Sequence, residues 1–360
     1  MRPERTKASA MTVFDSNAYD GHEAVIFHAD PAFGLEAIVA IHSSVLGPAF
    51  GGLRMRAYAS DTDALEDALR LSKGMTYKAA MADLPFGGGK AVIIGDPRIR
   101  KTEALLRTMG RFIESLNGRY HTADDMGTTV ADMDVLRMET RFAHGFADAS
   151  GKPPPATAFG VFAGIRAAVA QRLGRDDLDG LGVAIQGLGN VGARLARYLA
   201  EAGARLQVAD IERARVERAR DEFGARAVAP ERIHAAAVDI FAPCAAGAII
   251  NDRTVGEIRA SIVAGAANNQ LDRPCHGAAL KEKGIPYAPD YVINAGGLID
   301  VACEGPDYDP ARMLERVARI YDTASEVFER ARIEDAPTDL VADRMVRARL
   351  RSQAQSMIAA

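Results

Sequence analysis

The sequence has few of the features that mark disulfide-stapled, metal-binding or membrane proteins. Its 360 residues include three cysteines, Cys244, Cys275 and Cys303, an odd number without C-x-x-C spacing, so neither a zinc site nor a disulfide framework is indicated. No run approaches the roughly 18 apolar residues of a membrane span, and the polar stretch 1–12 lacks the apolar core of a secretory signal. We therefore expect a cytoplasmic protein with reduced thiols.

The charge balance excludes further partners. The 44 basic and 48 acidic residues are well mixed and give a net charge of −4, so the chain has no basic footprint for nucleic acid or for an anionic membrane. The seven histidines form no H-E-x-x-H or similar cluster, and we expect no metal. What the chain does have is a 48% apolar content and 33 glycines, over a length that suits two domains.

Two patterns of apolar residues divide the chain. The first part mixes predicted strands at Ala24–Ala29 and Leu35–His42 with a helix that a Ser60 capping signal opens. The prolines of Lys152–Pro155 predict a linker. Beyond it, strands alternate with helices, which is typical of a parallel sheet with crossover helices. The strands predicted there are Val183–Gln186, Leu206–Ala209, Asp239–Ala242, Ile262–Ala264 and Tyr291–Ile293, and long helices are predicted at Asp309–Arg332 and Leu340–Ile358.

A glycine-rich segment predicts a dinucleotide site. Gly187–Gly192, with the sequence GLGNVG, follows an apolar strand and opens a helix, and Asp210 ends the next strand. The glycines allow a tight turn and close approach of a pyrophosphate to the helix N-terminus. A carboxylate at Asp210 would accept hydrogen bonds from ribose hydroxyls and repel a 2′-phosphate, so NAD is favoured. The alternative is a purely structural glycine turn.

Two lysines and an aspartate are candidates for chemistry. Lys78 lies on the apolar stripe of its predicted helix, and Lys90 follows three glycines and opens a buried strand. Buried lysines close to another cation have lowered pKa values, which suits a general base. Asp124 and Asp125 follow a predicted strand, and one of them could shuttle protons, because Thr128 is expected to cap the following helix. The alternatives are solvated lysines and an acid that caps the helix or lies in a loop.

The order of several long motifs resembles the leucine/phenylalanine/valine dehydrogenase family of the glutamate dehydrogenase superfamily. The likeness runs from about Phe14 to Arg349. It is carried by GPAFGGLRM (Gly47–Met55), KGMTYKAA (Lys73–Ala80), LPFGGGKAVIIGDP (Leu84–Pro97), TADDMGTTVADMD (Thr122–Asp134), GLGNVG, DIFAPCAAGAIIND (Asp239–Asp252), AGAANNQL (Ala264–Leu271) and YAPDYVINAGGLIDVA (Tyr287–Ala302).

The resemblance implies an α/β fold of two domains with an active-site cleft between them. The first, over 1–150, would bind substrate, mediate oligomerisation and be rejoined by a C-terminal helix at about 336–360. The second, over 151–335, would be a Rossmann domain that binds NAD. The implied partners are an L-amino acid or 2-oxo acid and ammonium, with a homo-oligomer that could be a dimer or an octamer.

The resemblance also assigns residues. Lys78 would pair with the substrate carboxylate, Lys90 would activate water, and Asp125 would relay protons to and from the substrate nitrogen. Further substrate contacts would come from Phe50, Gly51, Gly52, Ala123, Asn268 (with Asn269 beside it), Leu298 and Val301. The cofactor would contact Thr157, Gly187, Leu188, Gly189, Asn190, Val191, Gly192, Asp210, Ile211, Ala245 and Asn268.

The residue at position 50 bears on the substrate. Glutamate-using relatives carry a lysine there, and the apolar Phe50 cannot pair with a buried γ-carboxylate, so glutamate is disfavoured. Phe50 and Leu298 are bulky and would shrink the pocket, which favours valine-, 2-aminobutyrate- or leucine-sized substrates. A phenylalanine substrate is the alternative if Phe50 swings aside and stacks on it.

Two rival functions remain. A hydroxy-acid oxidoreductase would share the dinucleotide domain but would usually need a catalytic histidine or a metal, and the sequence shows no pattern for either. A dinucleotide-sensing protein on the same fold would have no need to keep Lys78, Lys90 and Asp125 together. Oxidative deamination of an apolar L-amino acid is therefore the favoured function.

Overall fold

The computed structural model describes residues 12–145, 156–245, 247–305 and 307–359. The linker predicted at Lys152–Pro155 lies outside these residues. Two compact units account for the chain. The described residues up to Thr76 and from Pro85 to 145 form the first, and Tyr77–Leu84 with the described residues from 156 onward form the second. The predicted domain boundaries at 150 and 335 stay a prediction.

The first unit is built on a five-stranded mixed sheet with the order β1-β2-β4-β3-β5. β1 and β2 run antiparallel, as do β2 and β4, whereas β3 is parallel to both of its neighbours. The strands are β1 (Ala24–Asp30), β2 (Leu35–Ser43), β3 (Ala49–Arg56), β4 (Gly87–Ile94) and β5 (Tyr120–Asp124), and a 3₁₀ turn covers Val13–Asp15. The helices are α1 (Asp61–Met81), whose residues from Tyr77 onward belong to the second unit, α2 (Pro97–Arg100), α3 (Glu103–Ser115) and α4 (Val130–Arg137).

Helix α1 starts where the sequence predicts, because the Ser60 hydroxyl accepts the backbone N–H of Asp63 at 3.1 Å. It packs on one face of the sheet through an apolar cluster that includes Ala68 and Val92. Close packing requires glycine at position 88, where an added Cβ would lie 2.1 Å from the backbone nitrogen of Thr76. β4 begins at Gly87, so the strand that was predicted to open at Lys90 also includes the three glycines before it.

The second unit contains a parallel five-stranded sheet with the order β10-β9-β6-β7-β8, the topology of a Rossmann domain. Its strands are β6 (Gly182–Gln186), β7 (Arg205–Ala209), β8 (Arg226–Ala227), β9 (Ile240–Pro243) and β10 (Ile262–Val263). Its helices are α5 (Ala156–Leu173), α6 (Asn190–Glu201), α7 (Arg213–Phe223), α8 (Thr254–Glu257), α9 (Cys275–Glu282), α10 (Asp290–Ile293), α11 (Gly296–Ala302), α12 (Pro310–Ala318), α13 (Ile320–Ile333) and α14 (Thr338–Ala359), with a 3₁₀ turn at Ile233–Ala235. The predicted α/β class is confirmed.

One predicted strand is wrong. Tyr291–Ile293 belongs to the short helix α10, which follows Pro289. The Asp290 carboxylate accepts the backbone N–H of Tyr291 at 2.6 Å and that of Gln270 at 2.9 Å, and this local bonding favours a turn over an extended strand. Within the described ranges, no helix has the combination of length and apolar character that crossing a bilayer requires.

Candidate active site

A buried ion pair joins the two predicted catalytic residues. Lys90 lies in the middle of β4, is 5% exposed, and places its Nζ 2.8 Å from Oδ2 of Asp125. Asp125 directly follows β5. β3 separates β4 from β5 in the sheet, so the two side chains meet over the backbone of β3. The structure thus brings together two groups that are 35 residues apart in the sequence.

The ion pair extends into a longer network that the sequence analysis missed. Arg54 on β3 is 8% exposed and donates its Nε to the same Oδ2 of Asp125 at 2.8 Å. Its Nη1 also contacts Asp67 on α1 at 2.9 Å. The Tyr58 hydroxyl then donates to Asp67 at 2.6 Å. Two cations and two carboxylates therefore alternate, which compensates each buried charge.

The pKa values follow from this arrangement. Burial would by itself raise the pKa of Asp125, but the charges of Lys90 and Arg54 and their hydrogen bonds outweigh it and lower that pKa strongly. Burial is the main cause that lowers the pKa of Lys90, and the Arg54 charge adds to it against the opposing effect of Asp125. Asp125 is therefore a firmly ionised carboxylate, and Lys90 loses its proton more readily than an exposed lysine.

The glycine pair of β3 makes room for these side chains. An added Cβ at Gly52 would lie 2.7 Å from Cβ of Asp125 and 3.1 Å from Nζ of Lys90. An added Cβ at Gly51 would lie 1.8 Å from the carbonyl oxygen of Gly89. Glycine is therefore a steric requirement at both positions, in addition to any contact that their backbone makes with a ligand.

The position of Asp125 is fixed by a threonine whose predicted role was wrong. Thr128 was expected to cap the following helix, but Thr129 does so by accepting the N–H of Asp132 at 3.3 Å. Thr128 instead accepts the N–H of Asp125 at 3.0 Å and donates to the carbonyl of Leu53 at 2.7 Å. It ties the Asp125 backbone to β3.

The predicted apolar contacts lie close to the ion pair in sequence and sheet register. Ala123 pairs with Gly52 and is 8% exposed. Phe50 is 3% exposed, and its ring centre lies 5.2 Å from that of Phe86 and 5.5 Å from that of His144. Rings on two sides hold Phe50 in place.

In the second unit, the ammonium of Lys78 lies 3.3 Å from Oδ1 of Asn268. The Nδ2 of Asn294 donates to the same Oδ1 at 2.8 Å and to the carbonyl of Ala266 at 3.1 Å. Asn294 orients the Asn268 amide so that its oxygen faces Lys78 and its nitrogen is left to donate elsewhere. Asn294 was not predicted. The neighbouring Asn269 has a positive φ of 52°.

The glycine-rich turn fits a dinucleotide. Gly187 has a φ of +94°, and an added Cβ at Gly192 would lie 1.9 Å from the Gly187 carbonyl oxygen. Gly189 caps α6, and an added Cβ there would meet nothing within 4 Å. Gly187 and Gly192 thus allow the tight turn. Gly189 leaves open space beside the helix N-terminus, which is what binding of a pyrophosphate requires. Leu188, Asn190 and Val191 complete the predicted segment.

The Asp210 carboxylate braces this turn. Its Oδ2 accepts the N–H of Leu188 at 2.6 Å and its Oδ1 accepts the N–H of Glu212 at 2.8 Å. Burial would raise the pKa of Asp210, but these backbone hydrogen bonds and Arg215 lower it. Although its side chain is only 5% exposed, the two backbone hydrogen bonds keep the Asp210 carboxylate ionised and join the glycine-rich turn to the end of β7.

The remaining predicted residues lie at the edges of the second unit's elements. An added Cβ on Gly187 would lie 2.7 Å from Cβ of Ala245, and one on Gly297 would lie 2.8 Å from the Thr157 hydroxyl. Helix α11 carries the buried Leu298 and the half-buried Val301, and Ile211 is 91% exposed beside Asp210. No group of three or more metal-ligating side chains occurs among the described residues.

Comparison with known proteins identifies the family. The family model "Glu/Leu/Phe/Val dehydrogenase, dimerisation domain" matches residues 22–142, and the model "Glutamate/Leucine/Phenylalanine/Valine dehydrogenase" matches 150–211 and 205–330. The chain belongs to this dehydrogenase family. It is 53% identical to a leucine dehydrogenase of Geobacillus stearothermophilus, over 92% of this chain and 91% of that one.

Other relatives of the dehydrogenase bear names with larger amino acids. It is 46% identical to a phenylalanine dehydrogenase of Thermoactinomyces intermedius, over 94% of each chain. A solved L-tryptophan dehydrogenase of Nostoc punctiforme superposes with a TM-score of 0.80 at 46% identity, over 93% of this chain and 97% of that one. The protein is an amino-acid dehydrogenase, in a family whose members generally depend on a dinucleotide.

Proposed function

We propose that the dehydrogenase oxidatively deaminates an apolar L-amino acid with NAD, releasing the 2-oxo acid, ammonium and NADH. The observation that carries this proposal is the ion pair of Lys90 and Asp125, 2.8 Å long and packed against the backbone of Gly52. It offers a base of lowered pKa beside a carboxylate that is ionised at rest, which suits proton transfer at a nitrogen-bearing carbon.

Each charged side chain has a separate task in this proposal. Lys78, oriented by Asn268, binds the substrate carboxylate through its ammonium. Bound NAD supplies the hydride acceptor for the substrate α-carbon. Lys90 in its amine form takes a proton from the water that attacks the resulting imine carbon, and as an ammonium it stabilises the developing oxyanion. Asp125 exchanges protons with the substrate nitrogen.

The proposed cofactor is NAD because of Asp210. An ionised carboxylate at the end of β7 repels a 2′-phosphate, and the lowered pKa of Asp210 supports its charge at neutral pH. The proposed tasks of Thr157, Ile211 and Ala245 are contacts with the same cofactor.

The proposed substrates are aliphatic. The Phe50 ring is held between Phe86 and His144, which argues against the swing that a phenylalanine substrate would need. Burial lowers the pKa of His121, which pairs with Phe50 in the sheet register, to about 4, so His121 carries no charge at neutral pH. The apolar ring of Phe50, with Phe86 and the neutral His121 beside it, favours an apolar side chain and disfavours glutamate.

A panel assay tests the activity. NADH formation at alkaline pH is measured with leucine, valine, 2-aminobutyrate, phenylalanine, tryptophan and glutamate, and with 2-hydroxy acids as the rival class. We expect kcat/KM to be highest for an aliphatic amino acid and undetectable for hydroxy acids. A protein that binds NAD but turns over no amino acid would be a sensor, and the proposal would fail.

Two variants test the site. Lys90→Ala should abolish turnover while NAD binding persists, whereas Lys73→Ala, which removes a half-buried ion pair with Asp20, should leave turnover unchanged. Phe50→Gly should move preference toward aromatic substrates, with the exposed Phe27→Gly as its control. An unaltered substrate profile in Phe50→Gly would show that this ring does not line the pocket.

We also propose that copies of the chain associate through the first unit and work in the cytoplasm. The name of the matched family model and the free state of the three cysteines support this. Light scattering of the purified protein gives the mass of the assembly, and a monomer would contradict the proposal.

A further inference from the structure

The guanidinium of Arg54 donates hydrogen bonds to two carboxylates at the same time. Its Nε donates to Asp125 and its Nη1 donates to Asp67, with both contacts shorter than 3 Å. The planar guanidinium can do this because its donors point in fixed directions, which a lysine ammonium cannot reproduce. The Tyr58 hydroxyl donates a further hydrogen bond to Asp67. A buried arginine with this many charge-assisted hydrogen bonds has one orientation.

Because of the hydrogen bond from Arg54, the two carboxylate oxygens of Asp125 have different partners. Oδ2 accepts hydrogen bonds from Lys90 and Arg54, both at 2.8 Å. No hydrogen bond from the described part of the chain reaches Oδ1, and the side chain of Asp125 keeps 23% of its surface exposed. Moving Oδ2 away from this position would break two charge-assisted contacts, which are stronger than hydrogen bonds between neutral groups.

We propose that Arg54 is a positioning residue of the reaction, which holds Oδ2 of Asp125 against Lys90 and thereby presents Oδ1 to the substrate nitrogen. The inference rests on the proposed function. It makes the arginine of the GGLRM segment part of the catalytic geometry, although Arg54 itself need not touch substrate.

The strand geometry supports this role. Alternate residues of β3 face the same side of the sheet, so Gly52 and Arg54 share the face toward α1 on which Lys90 also lies. Gly52 leaves the space in which Asp125 and Lys90 meet, and Arg54 closes that space from the next position along the strand. Asp67 lies on α1, the helix that packs on this face of the sheet, and forms an ion pair with Arg54.

Arg54 also adds to the electrostatics of Lys90. The charged groups that face Lys90 are Asp125 beyond β5, Arg54 on β3 and Asp67 on α1, with Tyr58 behind Asp67. Loss of the Arg54 cation removes a repulsion that favours the neutral amine. Asp125 would then pair with Lys90 alone, which further favours the ammonium. Both effects raise the pKa of Lys90.

The experiment compares Arg54→Ala and Arg54→Lys with the wild type on the best amino acid of the panel. We measure kcat, KM and the pH dependence of kcat/KM, and test rescue of Arg54→Ala by millimolar guanidinium. The control is Arg98→Ala, which removes an exposed arginine that is likewise hydrogen-bonded to an aspartate. It should match the wild type in every readout.

We expect Arg54→Ala to lose about 100-fold in kcat with a smaller change in KM, because Oδ1 is no longer held in line. The pH at which activity rises should move to higher pH, and guanidinium should restore part of kcat. Arg54→Lys should keep the pH profile near that of the wild type and lose about 10-fold in kcat, because one ammonium cannot hold both carboxylates.

A folded Arg54→Ala with wild-type kcat overturns the inference, and so does a loss of kcat with neither a pH shift nor rescue, which would show a structural role only. If Arg54→Ala does not fold, Arg54→Lys decides: reduced kcat at unchanged KM supports the inference, and wild-type kcat overturns it. A wild type that turns over no amino acid would instead reject the proposed function.

Discussion

Asp125 and Asp210 reach the same charge state by different means. Both carboxylates lose exposure to water and both have lowered pKa values. Asp125 owes this to Lys90 and Arg54, whereas Asp210 owes it mainly to the backbone N–H groups of Leu188 and Glu212. The pKa of a carboxylate that is bound by side chains can be changed by substituting one of those side chains. The pKa of a carboxylate that is bound by backbone N–H groups is set by the conformation of the backbone, which a side-chain substitution changes little.

The largest effect should come from Asp125→Asn. It leaves two buried cations with a neutral partner, and removal of one member of a buried ion pair typically costs about 3 kcal/mol or more. Asp210→Asn should cost about 1 kcal/mol, because it weakens hydrogen bonds without stranding a cation of comparable burial. Urea unfolding at pH 7 measures both. Equal losses would mean that the two sites do not differ as described.

The pH dependence of that loss follows from the sign of the shift. The native pKa of Asp125 is lowered below its unfolded value near 3.9, so its stabilisation is complete above that value and declines as pH falls toward the native pKa. The difference in the free energy of unfolding between the wild type and Asp125→Asn should therefore be constant from about pH 6 to about pH 8, because both pKa values of Asp125 lie well below this interval. The difference should shrink below about pH 4.

A smaller effect is expected when a methyl group is added at one glycine of each site. Gly52→Ala forces Asp125 and Lys90 apart and should cost about 1–3 kcal/mol and roughly 100-fold in turnover. Gly189→Ala enters open space at a φ of −68°, so stability should stay within about 0.5 kcal/mol while the KM for NAD rises. Unfolding and cofactor titrations separate the two. An unchanged cofactor KM would mean that the space at Gly189 holds no ligand.

An effect of opposite sign is expected at Asp300, a buried carboxylate to which the described residues offer neither a cation nor a backbone hydrogen bond. Burial raises its pKa, and its hydrogen bond from the Tyr308 hydroxyl at 2.7 Å only partly opposes this. A carboxyl with a raised native pKa favours folding below its unfolded pKa and opposes it above the native one. Asp300→Asn should therefore stabilise by about 1 kcal/mol at pH 7, with the gain vanishing below about pH 4. A loss of stability at pH 7 would contradict this.

The elements that could be predicted are those whose signal lies within one stretch of chain. The strands of both sheets with clear apolar runs and the start of α1 at Ser60 are of this kind. Tyr291–Ile293 failed because its apolar composition suits a strand, while Pro289 and the Asp290 carboxylate impose a turn. Thr128 and Thr129 have equal capping chemistry in the sequence, and only the path of β3 assigns one to Leu53 and the other to α4.

The site shows the same limit. Lys90, Asp125 and Lys78 stood out because their sequence surroundings are unusual for charged residues. Arg54 did not, since its partners lie 71 and 13 residues away on other elements, and nothing in a single sequence pairs a strand residue with them. One signal was available: Arg54 lies two residues after Gly52, and alternation along β3 puts it on the same face. Asn294 offered no comparable signal.

The place of Arg54 between two carboxylates also determines where hydrogen ions can travel. A guanidinium does not give up its proton under conditions in which proteins fold, so the Tyr58–Asp67 side of the network cannot exchange protons with Asp125 through it. The half-buried phenol is thus no exit route. In the proposed reaction, a proton taken up by Asp125 can therefore leave through Oδ1 or through Lys90, but not by way of α1.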